Sequence, residues 1–157
     1  MPFVYNVQLA TAGNTATHAT PNTETGVVRH LPGARSVSLR SIYLIGKCAA
    51  LTAISGIAIR VARFTTGSTV GTGATPRPRD VNAPAATTVC GTGQTLGSGR
   101  TEQLVIGCGV AGPGGWAAQN DDAAINQQGS ATSTVDLISA SATASLNFEW
   151  SSEIQES

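Results

Sequence analysis

Residues 145–152 read SLNFEWSS, and their alternation sets the fold class. Leu146, Phe148 and Trp150 take every second position, with Ser145, Asn147, Glu149 and Ser151 between them. Successive side chains of a strand point to opposite faces, so this period of two marks a half-buried β-strand. Two of the chain's few aromatic residues sit in it. It is therefore expected to close a core late in the chain.

The same period recurs upstream. Phe3 to Leu9 alternates Phe3, Tyr5, Val7 and Leu9. Val27 to Leu31 forms a shorter run, stopped by the turn signal Pro32-Gly33. Ser36 to Ile45 begins as alternation at Val37 and Leu39 and ends as the apolar run Ile42 to Ile45, as expected of a strand passing from half to full burial. In Gly56 to Thr65, Ile57, Ile59 and Val61 share one face, and the β-branched residues fit a strand better than a helix. Further strands are read at Ala86–Cys90, Glu102–Cys108, Ala123–Gln127 and Ser133–Ser139, the last with Val135 and Leu137 inward. Residues 49–55 fit either a helical turn or a connection. About eight strands without a long amphipathic helix predict one all-β domain over residues 1–157. Its expected architecture is an antiparallel two-sheet β-sandwich of the jelly-roll type.

Two segments lack a period. Residues 11–25 are rich in Thr, Ala and Asn and offer too little apolar surface to offset ordering, so they read as an extended N-terminal arm. Residues 66–84 are rich in Gly, Thr and Pro around Pro76-Arg77-Pro78-Arg79-Asp80 and read as a stiff exposed loop.

A chain of 157 residues suits one domain, long enough to bury about two-thirds of its unfolded surface. Charged residues make up only 11% and net charge is zero, which argues against nucleic-acid and membrane-surface partners. So weakly charged a surface suits either a component covered in a larger assembly or a hydroxyl-rich soluble β-protein. No signal peptide or membrane-spanning run is expected: Ile42 to Val61 is broken by Lys47, Ser55, Gly56 and Arg60. Cys48, Cys90 and Cys108 are widely spaced and read as reduced, protected thiols rather than metal ligands.

Motifs that carry chemistry are weak here. Gly107 to Gly112 matches GxGxxG, but Pro113-Gly114-Gly115 follows where a phosphate-binding helix should begin. Asp121-Asp122 has too few oxygens around it for Ca²⁺ and reads as a solvated turn. Neither His18 nor His30 has a Ser or Cys partner at recognisable spacing. The reading is non-enzymatic, with no catalytic, metal or cofactor-binding residue. Trp116 follows a Gly-rich loop and either stands exposed for a sugar or a partner's pocket, or folds back to plug the sandwich.

Taken in order, several segments resemble the decoration, or cement, proteins of tailed phages. These are the Thr/Ala-rich lead-in, SVSLRSIYLIG (36–46), GIAIRVARF (56–64), the Pro-Arg-Pro-Arg-Asp loop, Gly115-Trp116, Ala124-Ile125 and the terminal FEWSSE (148–153). They cover roughly two-thirds of the chain and are patterns rather than invariant signatures. The resemblance implies a jelly-roll homotrimer made in the bacterial host cytoplasm. In the virion it would sit on the outer capsid surface at threefold and quasi-threefold positions, clamping neighbouring major capsid subunits. It carries no active site across and does not fix the contact residues. The segments free to bind a partner are the arm, with Thr17, His18 and Thr20, and the loop, with Pro76, Arg77, Pro78, Arg79 and Asp80; Trp116 joins them. The alternative is a carbohydrate-binding or adhesin module of a phage tail or fibre, with Trp116, Asp121 and Asp122 at a sugar.

Overall fold

The computed structural model describes residues 2–8, 16–18, 25–47, 57–66, 72–92, 95–108, 114–128, 134–139 and 146–157. In chain order the strands are β1 (Phe3–Gln8), β2 (Ala16–His18), β3 (Thr25–Leu31), β4 (Val37–Lys47), β5 (Ile57–Phe64), β6 (Thr72–Ala74) and β7 (Arg77–Pro78). They continue as β8 (Val89–Thr92), β9 (Thr101–Cys108), β10 (Gly114–Ala117), β11 (Ile125–Gln127), β12 (Thr134–Ser139) and β13 (Leu146–Glu156). One sheet runs β10-β4-β13-β1-β7, with β11 also on β4 and β2 also on β13. The other runs β6-β8-β3-β12-β5-β9.

The pairings are nested. β1 pairs with β13, β3 with β12, β4 with β10 and β11, and β5 with β9, all antiparallel. Taken from the outermost pair inward, they alternate between the two sheets. A long hairpin rolled over on itself gives that order, and it is the jelly-roll topology. The two sheets pack face to face as a β-sandwich over Tyr5, Leu39, Ile42, Ile59, Trp150 and Ile154, each at most 4% exposed.

β4 does not become fully buried along its apolar run. Val37, Leu39 and Ile42 are buried, but Tyr43 is 56% exposed. The register explains the jump in phase: Glu153 faces Ser41 and Ile154 faces Leu39, so Arg40 has no opposite number on β13. This one-residue bulge shifts the alternation and turns Arg40 outward. Trp150 lies inward as its alternation predicts, and Glu149 is exposed. The side chains of Leu146, Phe148, Val135 and Leu137 lie outside the described residues.

Two supposedly unpatterned segments contain strands. Within the arm, Ala16, Thr17 and His18 pair with Phe148, Asn147 and Leu146. Because β1 covers only Ser151 to Glu156, the rest of that β13 flank would otherwise leave backbone groups unpaired. Thr20 and the remainder of the arm outside β2, up to β3, lie outside the described residues, as do residues 48–56. The 66–84 loop contributes β6 and β7, each at a sheet edge, where a proline can be tolerated in a strand.

Glycine allows one close approach between the sheets. A Cβ on Gly114 of β10 would lie 2.2 Å from the Gly107 carbonyl oxygen of β9. The glycine-rich stretch thus serves packing where two strands from opposite sheets meet.

Ile154 is wholly buried and Val105 is 59% exposed. Ile154→Ala should cost about 2–5 kcal/mol in urea unfolding, and Val105→Ala no more than about 0.5 kcal/mol. Equal losses would contradict this division of core from surface. Cys90 is a free thiol at 1% exposure, and burial, aided by the nearby Glu156 charge, pushes it well above the ordinary thiol range. At neutral pH, alkylation of Cys90 should require denaturant; rapid native modification would show that β8 opens freely. Cys48 and the Cys108 side chain lie outside the described residues.

Candidate functional site: a pinned turn at the sheet edge

Between β5 and β9 the chain leaves the rolled hairpin and adds two strands, β8 and β6, to the edge of one sheet and one, β7, to the edge of the other. Thr66 and Ser98 close its neck: Thr65 and Thr66 N–H donate to Ser98 O, and Ser98 N–H donates to Thr66 O. Inside, β8 pairs with β3 and carries β6, while β7 pairs with β1 opposite Tyr5 and Asn6. Arg29 of β3, wholly buried, donates from Nη2 to Thr95 O at 3.0 Å and holds the returning chain.

The excursion's most exposed part is also closely tied down. Arg79 N–H donates to Val4 O at 2.9 Å. Ala83 N–H donates to Asp80 O at 3.0 Å, closing a four-residue turn. Asp80 Oδ1 accepts from Asn82 N–H at 2.9 Å, the local bond that makes Asp a turn residue. The Arg79 guanidinium meets Glu153 Oε2 at 2.5 Å, and Tyr5 OH donates to Pro84 O at 3.0 Å. Pro76, Pro78 and Pro84 restrict the backbone further. At the tip, Val81 is 92% exposed.

The turn's downstream foot is set by a buried carboxylate. Glu156, wholly buried at the end of β13, accepts from Thr88 N–H and Oγ1, both at 2.7 Å, and from Thr87 N–H at 2.8 Å. Arg35 Nη1 lies 3.2 Å from Glu156 Oε2. Burial alone would raise the carboxyl's pKa. The bonds from Thr88, Thr87 and Arg35 outweigh it and hold the group below its ordinary value. Burial, reinforced by the Glu156 charge, also raises the Tyr5 hydroxyl, with Arg35 opposing. Gly33 completes the joint: a Cβ there would stand 2.3 Å from Thr87 O.

An ion-pair row crosses the outer face of the β13 sheet. Arg40, freed by the bulge, reaches Asp121 at 2.7 Å and Glu153 at 3.9 Å and also bonds Gln155; Glu153 in turn holds Arg79. Such partly exposed pairs contribute about 0–1 kcal/mol each. They orient the turn rather than hold the fold.

The predicted partner-binding residues do not form one patch. Pro76, Arg77, Pro78, Arg79 and Asp80 cluster at the β7 edge. Trp116 sits on β10 opposite Ile42, at the other edge of the same sheet, and packs half-buried against the core. Of the two positions foreseen for its ring, it takes the inward one. Thr17 and His18 lie on β2, opposite Asn147 and Leu146 of β13, about 20 Å along that strand from the level of β7.

Asp121 and Asp122 form a single exposed 3₁₀ turn, capped by Asn120 Oδ1 accepting from Ala123 N–H. Among the described residues, no three His, Cys, Asp or Glu side chains are placed to hold a metal. His30 lies near the end of β3, just before Pro32-Gly33: Nε2 meets Ser152 Oγ at 2.9 Å, with both residues buried and the ring edge-on to Trp150. Enclosed between the sheets, the bond satisfies His30 Nε2 and Ser152 Oγ.

Sequence reading missed Val81, Glu156 and the Thr87–Thr88 clamp. Extending the alternation from Trp150 through Ser152, Ile154 and Glu156 would have found the carboxylate. Comparison with known protein families and with curated proteins returned no match.

A folded carboxyl pKa below its unfolded value, ordinarily near 4.3, stabilises the protein fully above that value and is lost as pH falls through the folded one. Glu156→Gln should cost about 1.5–3 kcal/mol at pH 7 and flatten the loss of stability below about pH 4. Parallel stability curves for the two proteins between pH 7 and 3 would contradict this role.

Proposed function

We propose that this protein is a non-enzymatic structural module that docks onto another protein through the pinned turn. In its most specific form, it is a homotrimeric decoration protein on the outer surface of a phage head, bridging major capsid subunits. The observation that carries the reading is Val81, almost fully exposed on a turn held by two strands, an ion pair and the Glu156 clamp. An apolar side chain presented on a preorganised support loses little conformational entropy when it enters a partner's pocket. Flexible tips with polar residues are the ordinary form of a loop that serves only as a connection.

Other features support the same reading. Only 11% of residues are charged, which suits close packing against protein. Three linked copies bind with avidity, so individually modest contacts suffice. The jelly-roll order and the segment order discussed above fit the cement-protein resemblance. The sugar-binding alternative needs Trp116 as an open stacking platform, whereas the ring packs against the core.

The test is co-sedimentation with phage heads stripped of this protein. Wild type should pellet with heads, and Val81→Asp should bind at least about tenfold more weakly while unfolding at an unchanged temperature. Light scattering should give a mass three times the chain's 15.9 kDa. A wild-type protein that stays in the supernatant contradicts the capsid reading. Undiminished binding by Val81→Asp contradicts the role of the turn.

A further inference from the structure

A second surface lies where the two sheets part at one end of the sandwich, between the Thr66–Ser98 neck and the end of β13 that carries Glu156. A cleft of about 550 Å³ is lined there by Ser36, Ser38, Arg63, Asn126, Gln127 and Gln128, among others. A smaller hollow of about 220 Å³ adjoins it and includes Phe64, Thr65 and Thr101. Arg63 and Gln127 line both. Together they make a trench whose walls come from β4 and β11 on one side and β5 and β9 on the other. Its size lies in the range of small-ligand sites.

The trench has a distinct chemistry. Its lining is mostly hydroxyl and carboxamide, groups that both donate and accept, which suits a ligand bearing many hydroxyls. Among the described residues no Asp or Glu side chain lines either hollow, and the main-chain oxygen of Ser157, which also lines the cleft, accepts from Ser36 N–H at 3.2 Å. Among the described residues Arg63 supplies the one side-chain charge of the lining. Its Nη1 donates to Asn126 O at 3.1 Å, fixing the guanidinium across the gap between the sheets. Elsewhere Arg35, Arg40, Arg60, Arg79 and Arg100 each face a carboxylate. Arg63 has none within ion-pair distance among the described residues. Asn126 Oδ1 accepts from Ser38 Oγ, which leaves its amide N–H groups for a ligand.

We infer that the trench at Arg63 binds a sugar acid, its carboxylate on the Arg63 guanidinium and its hydroxyls on Asn126, Gln127 and Gln128. A planar guanidinium matches a carboxylate through paired N–H bonds. A single cation among the described lining residues suits a monoanion better than a phosphate. The amide and hydroxyl walls suit a sugar ring better than a peptide's apolar side chains. No residue of the turn from Arg79 to Pro84 lines the trench, so capsid binding and sugar binding can fail separately.

The test is an NMR titration with D-glucuronate, using glucose and acetate as controls and the side-chain amides of Asn126, Gln127 and Gln128 as reporters. Glucuronate should shift them saturably with Kd of order 1 mM, and each control should bind at least about tenfold more weakly. Arg63→Gln should reduce glucuronate binding about tenfold, to the level of glucose. Asn126→Asp keeps the acceptor for Ser38 and adds a repelling charge, so it should weaken glucuronate equally, and it decides the matter if Arg63→Gln fails to fold. Glucose binding as tightly as glucuronate would overturn the role of Arg63. Acetate binding as tightly would make this a simple anion site. Absence of saturable shifts, or shifts confined to other residues, would overturn the proposal outright.

Discussion

An eleven-residue strand has two long flanks of backbone donors and acceptors, and the architecture depends on filling both flanks of β13. β4 pairs along nearly the whole of one flank. On the other, β1 covers Ser151 to Glu156 and β2 covers Leu146 to Phe148. Each buried backbone group needs a partner, so this demand draws the N-terminal strand and part of the arm onto the last strand. Once first and last strands are paired, the intervening strands nest inside them and the two sheets follow. The inward face of β13 then supplies Trp150 and Ile154 to the core, Ser152 to His30, and Glu156 to the excursion between β5 and β9.

That last contact links fold to surface. Glu156 stands where the alternation calls for an apolar residue, and a lone buried carboxylate is costly. Four N–H and O–H donors from Thr87 and Thr88, with Arg35, make it tolerable. The arrangement fixes the end of β13 and one foot of the turn that displays Val81. Outside the sheet, Glu153 holds the other foot through Arg79. Two carboxylates three strand positions apart, and so on opposite faces of β13, therefore grip the same excursion from inside and outside.

Much of this could be read from residue order alone. Period-two runs located β1, β3, β4, β5, β9, β12 and β13 to within a few residues, because half-buried strands write their burial into every second side chain. Short edge strands could not be read so. β2, β6 and β7 form because a neighbouring edge offers backbone partners, which ATH, TGA and RP do not encode. The bulge at Arg40 left Leu39 and Ile42 three apart, a spacing that resembles continuous burial until the register is known. The Pro76–Asp80 segment was recognisable as stiff and exposed, but Val81 lay just beyond it. The Thr87–Thr88 clamp depends on Glu156, 68 residues away from Thr88. Contacts at that separation are set by topology and leave no local mark. The same holds for the trench, which assembles from four strands.

The central claim is that the turn is held in place before any partner arrives, and amide hydrogen exchange of the isolated native protein at pH 7 tests it directly. Thr87 and Thr88 N–H, bonded to Glu156, and Arg79 N–H, bonded to Val4 O, are expected to exchange at rates close to those of the central strands β4 and β13. Exchange of these three amides at the rate of an open loop, with β4 and β13 protected, would contradict it.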